Sequence, residues 1–163
     1  MEYRLVVDFC NTARYSRMFR EGKIFSEARL EAPTTEEILA FSTSKPVKCG
    51  ILGSVVNHSP DLIKELAPLF PLVILDKDTP LPIGNLYDSK ESLGYDRIAA
   101  AVEAWQLFPG SPVLAVVAGT CITYNVIDAK GNFLGGAISP GLHMRLEAMH
   151  EKTKKLPLIS LEG

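Results

Sequence analysis

Two stretches of this chain follow one plan, and that repetition constrains the fold more than any other feature. LVVDFCNT, starting at Leu5, and LAVVAGTCIT, starting at Leu114, each run a short apolar segment into a small polar turn. A hairpin meander follows in both cases. After the first come ARYSRMF (Ala13 to Phe19), a turn at Glu21-Gly22-Lys23 and IFSEARLE (Ile24 to Glu31). After the second come CITYNVID (Cys121 to Asp128), a turn at Lys130-Gly131-Asn132 and FLGGAIS (Phe133 to Ser139). Short apolar runs bounded by turn residues read as buried strands, and Gly-centred turns between them read as hairpins. One supersecondary unit used twice reads as an internal duplication.

The stretches after each meander complete the plan. Thr34 and Glu37 have capping-box spacing and predict a helix start. VKCGILGSV, Val47 to Val55, is a fourth strand. Ser59-Pro60 opens a second helix, with Pro at its first position, and Pro68 ends or kinks it. PLVILD, Pro71 to Asp76, is a fifth strand, giving the order βββαβαβ. Strands reached through helices favour parallel pairing, so the class is α/β. Asp76 to Ser89, rich in Pro, Gly and polar residues, reads as a linker or substrate-facing loop. Helices are expected over Leu93 to Phe108 and Leu142 to Lys155. The expected domains are 1–88 and 89–163. The second copy stops after one helix, so either the chain is a fragment of a longer protein or something else covers the unfinished edge.

Composition excludes several classes. A hydrophobic fraction of 47% with 22% charged residues supports a packed core rather than a disordered chain. Lys plus Arg number 17 against 19 Asp plus Glu, and this balance argues against a nucleic-acid partner. No apolar run is long enough to span a bilayer, and the N-terminus lacks the pattern of a signal peptide. Cys10, Cys49 and Cys121 have neither disulfide nor zinc spacing, so a reducing cytoplasm is the expected location.

Candidate chemistry gathers at the turns and at one helix mouth. Turns after a first strand present backbone N–H groups and a Thr hydroxyl, which suit phosphate oxygens and point to nucleotide binding. Asp8, ahead of Asn11-Thr12, is either a strand-end acid or a carboxylate holding Mg²⁺ through water. Thr120 is either a turn residue or a phosphate contact. Asp96, in ESLGYDRIAAAVEAW, is either a charged first turn favoured by the helix dipole or a proton acceptor in phosphoryl transfer. Arg97 gains nothing from that dipole and calls for a partner, such as an anionic ligand. Gly135-Gly136 and Pro140-Gly141 are turn residues or points where backbone approaches a ligand. His58, His143 and His150 lack metal-ligand spacing.

These segments together resemble one family. LGYDRIAAAVEAW is similar to the L-G-x-D-R-x-A-A segment of type III pantothenate kinases, and VVDFCNT to their D-x-G-N-T phosphate turn. GSVV, at Gly53, resembles their S-S-V-V strand. AGTCITYNVIDAKGNFLGGAISPGLHM resembles the segment from G-T-x-x-T to G-G-x-I-x-P-G, and EKTKKLP the T-x-x-L-P that follows. The motifs occur in the family's order over nearly the whole chain.

The resemblance implies the acetate and sugar kinase, Hsp70 and actin fold of two RNase H-like (actin-like ATPase) domains, the second incomplete here. It implies transfer of the γ-phosphoryl of ATP to pantothenate, the first step of coenzyme A synthesis. It further implies Mg²⁺, a monovalent cation (K⁺ or NH₄⁺) and a homodimer. By the same resemblance Asp96 is the proton acceptor, and Tyr87, Gly94, Tyr95, Asp96 and Arg97 line the pantothenate site. Asp8, Phe9, Cys10, Asn11, Thr12, Ala13, Arg14, Tyr15 and Thr120 match the ATP contacts, with Asp8 holding Mg²⁺ through water. GYDRIAAA points to this branch rather than to a sugar or acetate kinase.

Four departures from the pattern stand out. Cys10 replaces a glycine, which implies strain if the position needs a positive φ. Tyr15 stands in place of a usual lysine, with Arg14 and Arg17 nearby. Val117 stands where the family has the aspartate that binds K⁺, and Asn125 where an acid is common. The chain also ends before the family's later substrate-contacting threonine. The alternative reading is therefore a non-catalytic relative that binds pantothenate, a nucleotide or a protein partner, as a transcription-accessory member of the family does.

Overall fold

The computed structural model describes residues 2–43 and 45–161. Its contacts divide the chain into two compact units. One comprises Met1–Pro80 with Gly94–Asp96, and the other Leu81–Leu93 with Arg97–Gly163.

The first unit is a five-stranded sheet with two helices. Strands β1 (Tyr3–Phe9), β2 (Arg14–Arg20) and β3 (Lys23–Arg29) form the meander, followed by α1 (Thr35–Ser42), β4 (Val47–Ser54), α2 (Pro60–Leu66) and β5 (Leu72–Ile74). The spatial order is β3-β2-β1-β4-β5. β1 is antiparallel to β2 and parallel to β4, as hairpin and helical connections require. Period-two alternation puts Leu5, Val7 and Phe9 into a core with Met18, Leu52, Ile38 of α1, and Leu62 and Leu66 of α2. These residues are at most 2% exposed, so this face is closed.

Local chemistry sets the helix ends. Thr34 accepts from the Glu37 N–H at 3.4 Å, but the Glu37 carboxylate turns away from Thr34. It accepts instead from the N–H groups of Glu31 and Ala32, so the expected capping box is replaced by a clamp on the preceding loop. Ser59 caps α2 with Pro60 at its start, and the helix stops before Pro68.

The second unit contains β6 (Gly84–Asn85), α3 (Tyr95–Leu107, from Arg97 onward), β7 (Val113–Ala118), β8 (Cys121–Ile127), β9 (Asn132–Pro140) and α4 (Leu142–Lys152). The order is β6-β9-β8-β7, with β6 parallel to β9 and the other pairs antiparallel. The stretch expected to be loop from Asp76 to Ser89 thus contributes a short strand. Ile98 and Ala101 of α3 pack on Ile127, Phe133, Ile83 and Leu93.

Two expectations change in this unit. Pro112 to Thr120, apolar on both faces, reads as a buried strand, yet Leu114, Val116 and Val117 of β7 are each about half exposed. Among the described residues β7 is an edge strand, paired only with β8. α4 ends at Lys152 rather than Lys155 and buries no residue. No helix is long and apolar enough to cross a membrane among the described residues.

Candidate active site

The face of the first sheet opposite the core carries the Asp8 carboxylate. In register, Asp8 lies beside Tyr15 on β2 and Gly53 on β4, while Arg17 lies between Val6 on β1 and Glu27 on β3. Arg17 is therefore the diagonal neighbour of Asp8 and the direct neighbour of Glu27, distances that long side chains bridge. Its Nε donates to Glu27 Oε2, its Nη1 lies 3.9 Å from Asp8 Oδ2, and its guanidinium stacks 4.6 Å from the Tyr15 ring centre. Tyr15 brings no charge of its own, but it supports a cation two residues on. Arg14 is turned elsewhere, donating to the Glu31 carbonyl at 3.3 Å.

Cys10 follows directly. Its N–H closes the turn onto the Ala13 carbonyl at 2.9 Å, and its thiol donates to Asp8 Oδ1 at 3.2 Å. Among the described residues other than glycine only Glu21 has a positive φ, so Cys10 carries no backbone strain and that expectation is corrected. The glycine freedom expected at this turn is not used by the local backbone. Burial, then the Asp8 hydrogen bond and the charges of Asp8 and Asp96, push the thiol up to about 12. At neutral pH it is protonated and acts as a donor.

Of the other turn residues, Asn11 and Thr12 are exposed, whereas Phe9 is fully buried in the core. Phe9 has only its backbone to offer, and its carbonyl already accepts from the Val55 N–H. Two cavities in this unit, of about 400 and 330 Å³, surround Arg4 and Phe19. They lie toward the opposite end of β1 from Asp8.

Asp96 sits in the first turn of α3, exposed, and groups with the first unit. Its carboxylate folds back over Gly94: a Cβ at that glycine would lie 2.5 Å from Asp96 Oδ1.

In the second unit Arg97 is 6% exposed. Its Nε donates to Asn125 Oδ1 at 2.8 Å and its Nη2 to the Tyr124 carbonyl at 3.4 Å. The rings of Tyr87 and Phe133 lie 5.8 and 5.7 Å from its guanidinium carbon. The Arg97 partner foreseen as an anionic ligand is here a set of neutral protein groups, which orient the cation without cancelling its charge. Asn125 is fully buried and also donates to the Ala115 carbonyl and Thr123 Oγ1.

Tyr87 is placed with equal care. Its N–H donates to Asn85 Oδ1, and its ring lies against Gly135, where an added Cβ would meet it at 3.0 Å. Gly135-Gly136 is therefore a close-approach site. At Gly136 a Cβ would fall 1.8 Å from the Tyr124 carbonyl oxygen. Gly141 likewise leaves no room for a side chain against the carbonyls of Gly119 and Thr120. The Thr120 carbonyl accepts from the Gly141 N–H, tying the second polar turn to the start of α4.

Sequence reasoning named Asp8, Cys10, Asp96, Tyr87 and Arg97. It did not assign Glu27, which holds Arg17, Asn85, which accepts from Tyr87, or Phe133, which lies against Tyr87 and Arg97. The period-two register of the meander was the available signal for Glu27, but nothing local marked the other two.

The donor set also bears on metals. Among the described residues no three His, Cys, Asp or Glu side chains converge on a metal position. The single partly exposed carboxylate of Asp8, at the end of β1, fits Mg²⁺, which keeps waters and takes one or two carboxylates together with substrate phosphates. Val117 offers no side-chain oxygen to a monovalent cation and is half exposed on β7.

Comparison with known proteins places these residues in a family context. A family model described as type III pantothenate kinase matches residues 4–163. A protein of that name from Bacteroides fragilis (strain ATCC 25285) is 39% identical over 160 residues, covering 98% of this chain and 66% of the relative. One from Porphyromonas gingivalis (strain ATCC BAA-308) is 46% identical over 166 residues, covering 100% and 67%. One from Flavobacterium johnsoniae is 48% identical over 160 residues, covering 97% and 66%. The chain thus spans about two thirds of the length of the curated relatives it matches. Among solved structures, YeaZ from Pseudomonas aeruginosa superposes with a TM-score of 0.38 at 13% identity, over 86% of this chain and 68% of that one.

Proposed function

We propose, for a chain that belongs to the type III pantothenate kinase family, that it carries out ATP-dependent phosphorylation of pantothenate to 4'-phosphopantothenate, the first step of coenzyme A synthesis. The observation that carries the reading is the family match over residues 4–163. The relatives carry the kinase name, so a non-catalytic binder is not favoured.

In this reading Asp96 accepts the proton of the pantothenate hydroxyl. Its exposure and the space left by Gly94 support that role. Arg97, oriented by neutral partners, takes the carboxylate of pantothenate. Tyr87, Gly94 and Tyr95 complete the pantothenate site. Asp8 and the turn through Tyr15, with Thr120, take ATP.

Asp8 would hold Mg²⁺ through water, and the ion would supply charge neutralisation at the phosphates. Cys10 donates to the Asp8 carboxylate, and Arg17 lies beside it. No residue is assigned to a monovalent cation, because Val117 occupies the expected ligand position.

The two units are read as RNase H-like domains of the actin-like ATPase superfamily. The order βββαβαβ in the first and the meander in the second support this. The proposed boundary, at 88/89, lies within the stretch Leu81–Leu93. A homodimer is proposed, supported by exposed Leu114, Val116, Ile138 and Leu142 in the second unit. A cytoplasmic location is proposed, supported by the three free cysteines.

The test is ADP release from Mg²⁺ and ATP, with and without pantothenate, on the purified chain. Pantothenate-dependent release is expected. No release together with pantothenate binding by calorimetry would refute the kinase and leave a binder.

A further inference from the structure

Asp8 has a different neighbour on each carboxylate oxygen. Oδ1 accepts from the Cys10 thiol at 3.2 Å, and Oδ2 faces Arg17 Nη1 at 3.9 Å, beyond hydrogen-bond range. Both neighbours are themselves fixed. The Cys10 backbone is locked by its bond to Ala13, and Arg17 is held by Glu27 and the Tyr15 ring. A carboxylate at a strand end otherwise rotates about its last torsion at little cost, leaving the plane of its oxygens loosely defined. Here rotation would require breaking one defined contact, that of the thiol.

We propose that Cys10 is a positioning residue whose thiol, donating to Asp8 Oδ1, fixes the plane of the Asp8 carboxylate presented to a metal–nucleotide ligand. A thiol is a weak donor to neutral groups, but an ionised acceptor strengthens the bond. A residue with a Cβ is accommodated here without a positive φ, so the turn gains a side-chain donor at no backbone cost. A residue that merely filled space would need no polar atom facing Asp8. This inference rests on the reading above in which Asp8 serves Mg²⁺ and ATP.

Calorimetry of ATP binding to the whole chain tests it, once with Mg²⁺ and once with EDTA, on the parent, Cys10→Ala and Cys10→Ser. Melting temperatures establish that each variant is folded. Cys10→Ala is expected to weaken binding of ATP with Mg²⁺ by about fivefold, the worth of one modest hydrogen bond. Binding of ATP in EDTA should change by less than about twofold. Cys10→Ser keeps a donor and should restore the Mg²⁺-dependent affinity.

Equal affinity of parent and Cys10→Ala with Mg²⁺ would overturn the proposal while leaving the kinase reading intact. Equal losses with and without Mg²⁺ would also overturn it, showing a structural role alone. A serine variant as weak as the alanine variant would do the same. A parent that binds ATP under neither condition would overturn the kinase reading and this inference with it.

Discussion

Replacing Asn125 by alanine should destabilise the second unit strongly, for a reason that can be worked from its contacts. Asn125 is fully buried and makes three hydrogen bonds: it accepts from Arg97 Nε at 2.8 Å and donates to Ala115 O and Thr123 Oγ1 at 3.3 and 3.2 Å. The first involves a charged donor, and such bonds contribute about 1.5–3 kcal/mol. Alanine also strands Arg97 Nε at a site where the residue is 6% exposed. Taken together the loss is about 3 kcal/mol, a large part of the ~5–15 kcal/mol typical of a domain.

Trp105, the only tryptophan in the chain, lies on α3 and packs against the core of this unit, so its fluorescence follows the right transition. With a urea slope of about 1 kcal/mol per molar, the midpoint should fall by roughly 2–3 M. Arg97→Met should rescue part of the loss, because removing both members of a buried pair costs less than orphaning one. A midpoint within about 0.5 M of the parent, or strictly additive effects in the double variant, would refute the reasoning.

Three further predictions concern function and pH. Asp96→Asn should lower pantothenate-dependent turnover by ~10²–10⁴-fold while calorimetry still detects pantothenate; unchanged turnover would remove Asp96 from its role. Turnover should respond weakly to K⁺, since Val117 supplies no ligand, and a steep K⁺ requirement in the ADP-release assay would show a rebuilt cation site. The Asp128 carboxyl is held below its usual 3.8, chiefly by the Asn132 side-chain amide and then by the N–H groups of Asn132 and Lys130. A depressed folded value means that its stabilisation is present above about pH 4 and is lost as pH falls through the folded value. Asp128→Ala should therefore lower the urea midpoint at pH 6 and converge with the parent near pH 2. A gap that persists in acid would count against the clamp.

The elements of this fold were legible because they are written locally. The short apolar run from Leu5 into the Asn11-Thr12 turn marks a buried strand. Pro60 and Pro68 bracket α2, and Gly22 and Gly131 sit at hairpin turns with positive φ. Such signals depend on backbone sterics and period alone. The short motifs around Asp8 and Asp96 were legible for a related reason: each lies within a few residues of chain.

What only the tertiary structure decided is which side chain answers which. Asn125 meets Arg97 across 28 positions of sequence, and Tyr87 lies against Gly135. Those meetings depend on how β9 and β8 stack beside α3, which no local pattern encodes. Glu37 shows the same limit on a small scale, since its capping-box spacing was correct but nearby N–H groups took the carboxylate. Cys10 looked like a strained replacement for glycine. The backbone there keeps a negative φ, and the side chain turns toward Asp8 as a hydrogen-bond donor. Residue identity by itself set the chemistry available; the register of the strands set the partner that chemistry meets.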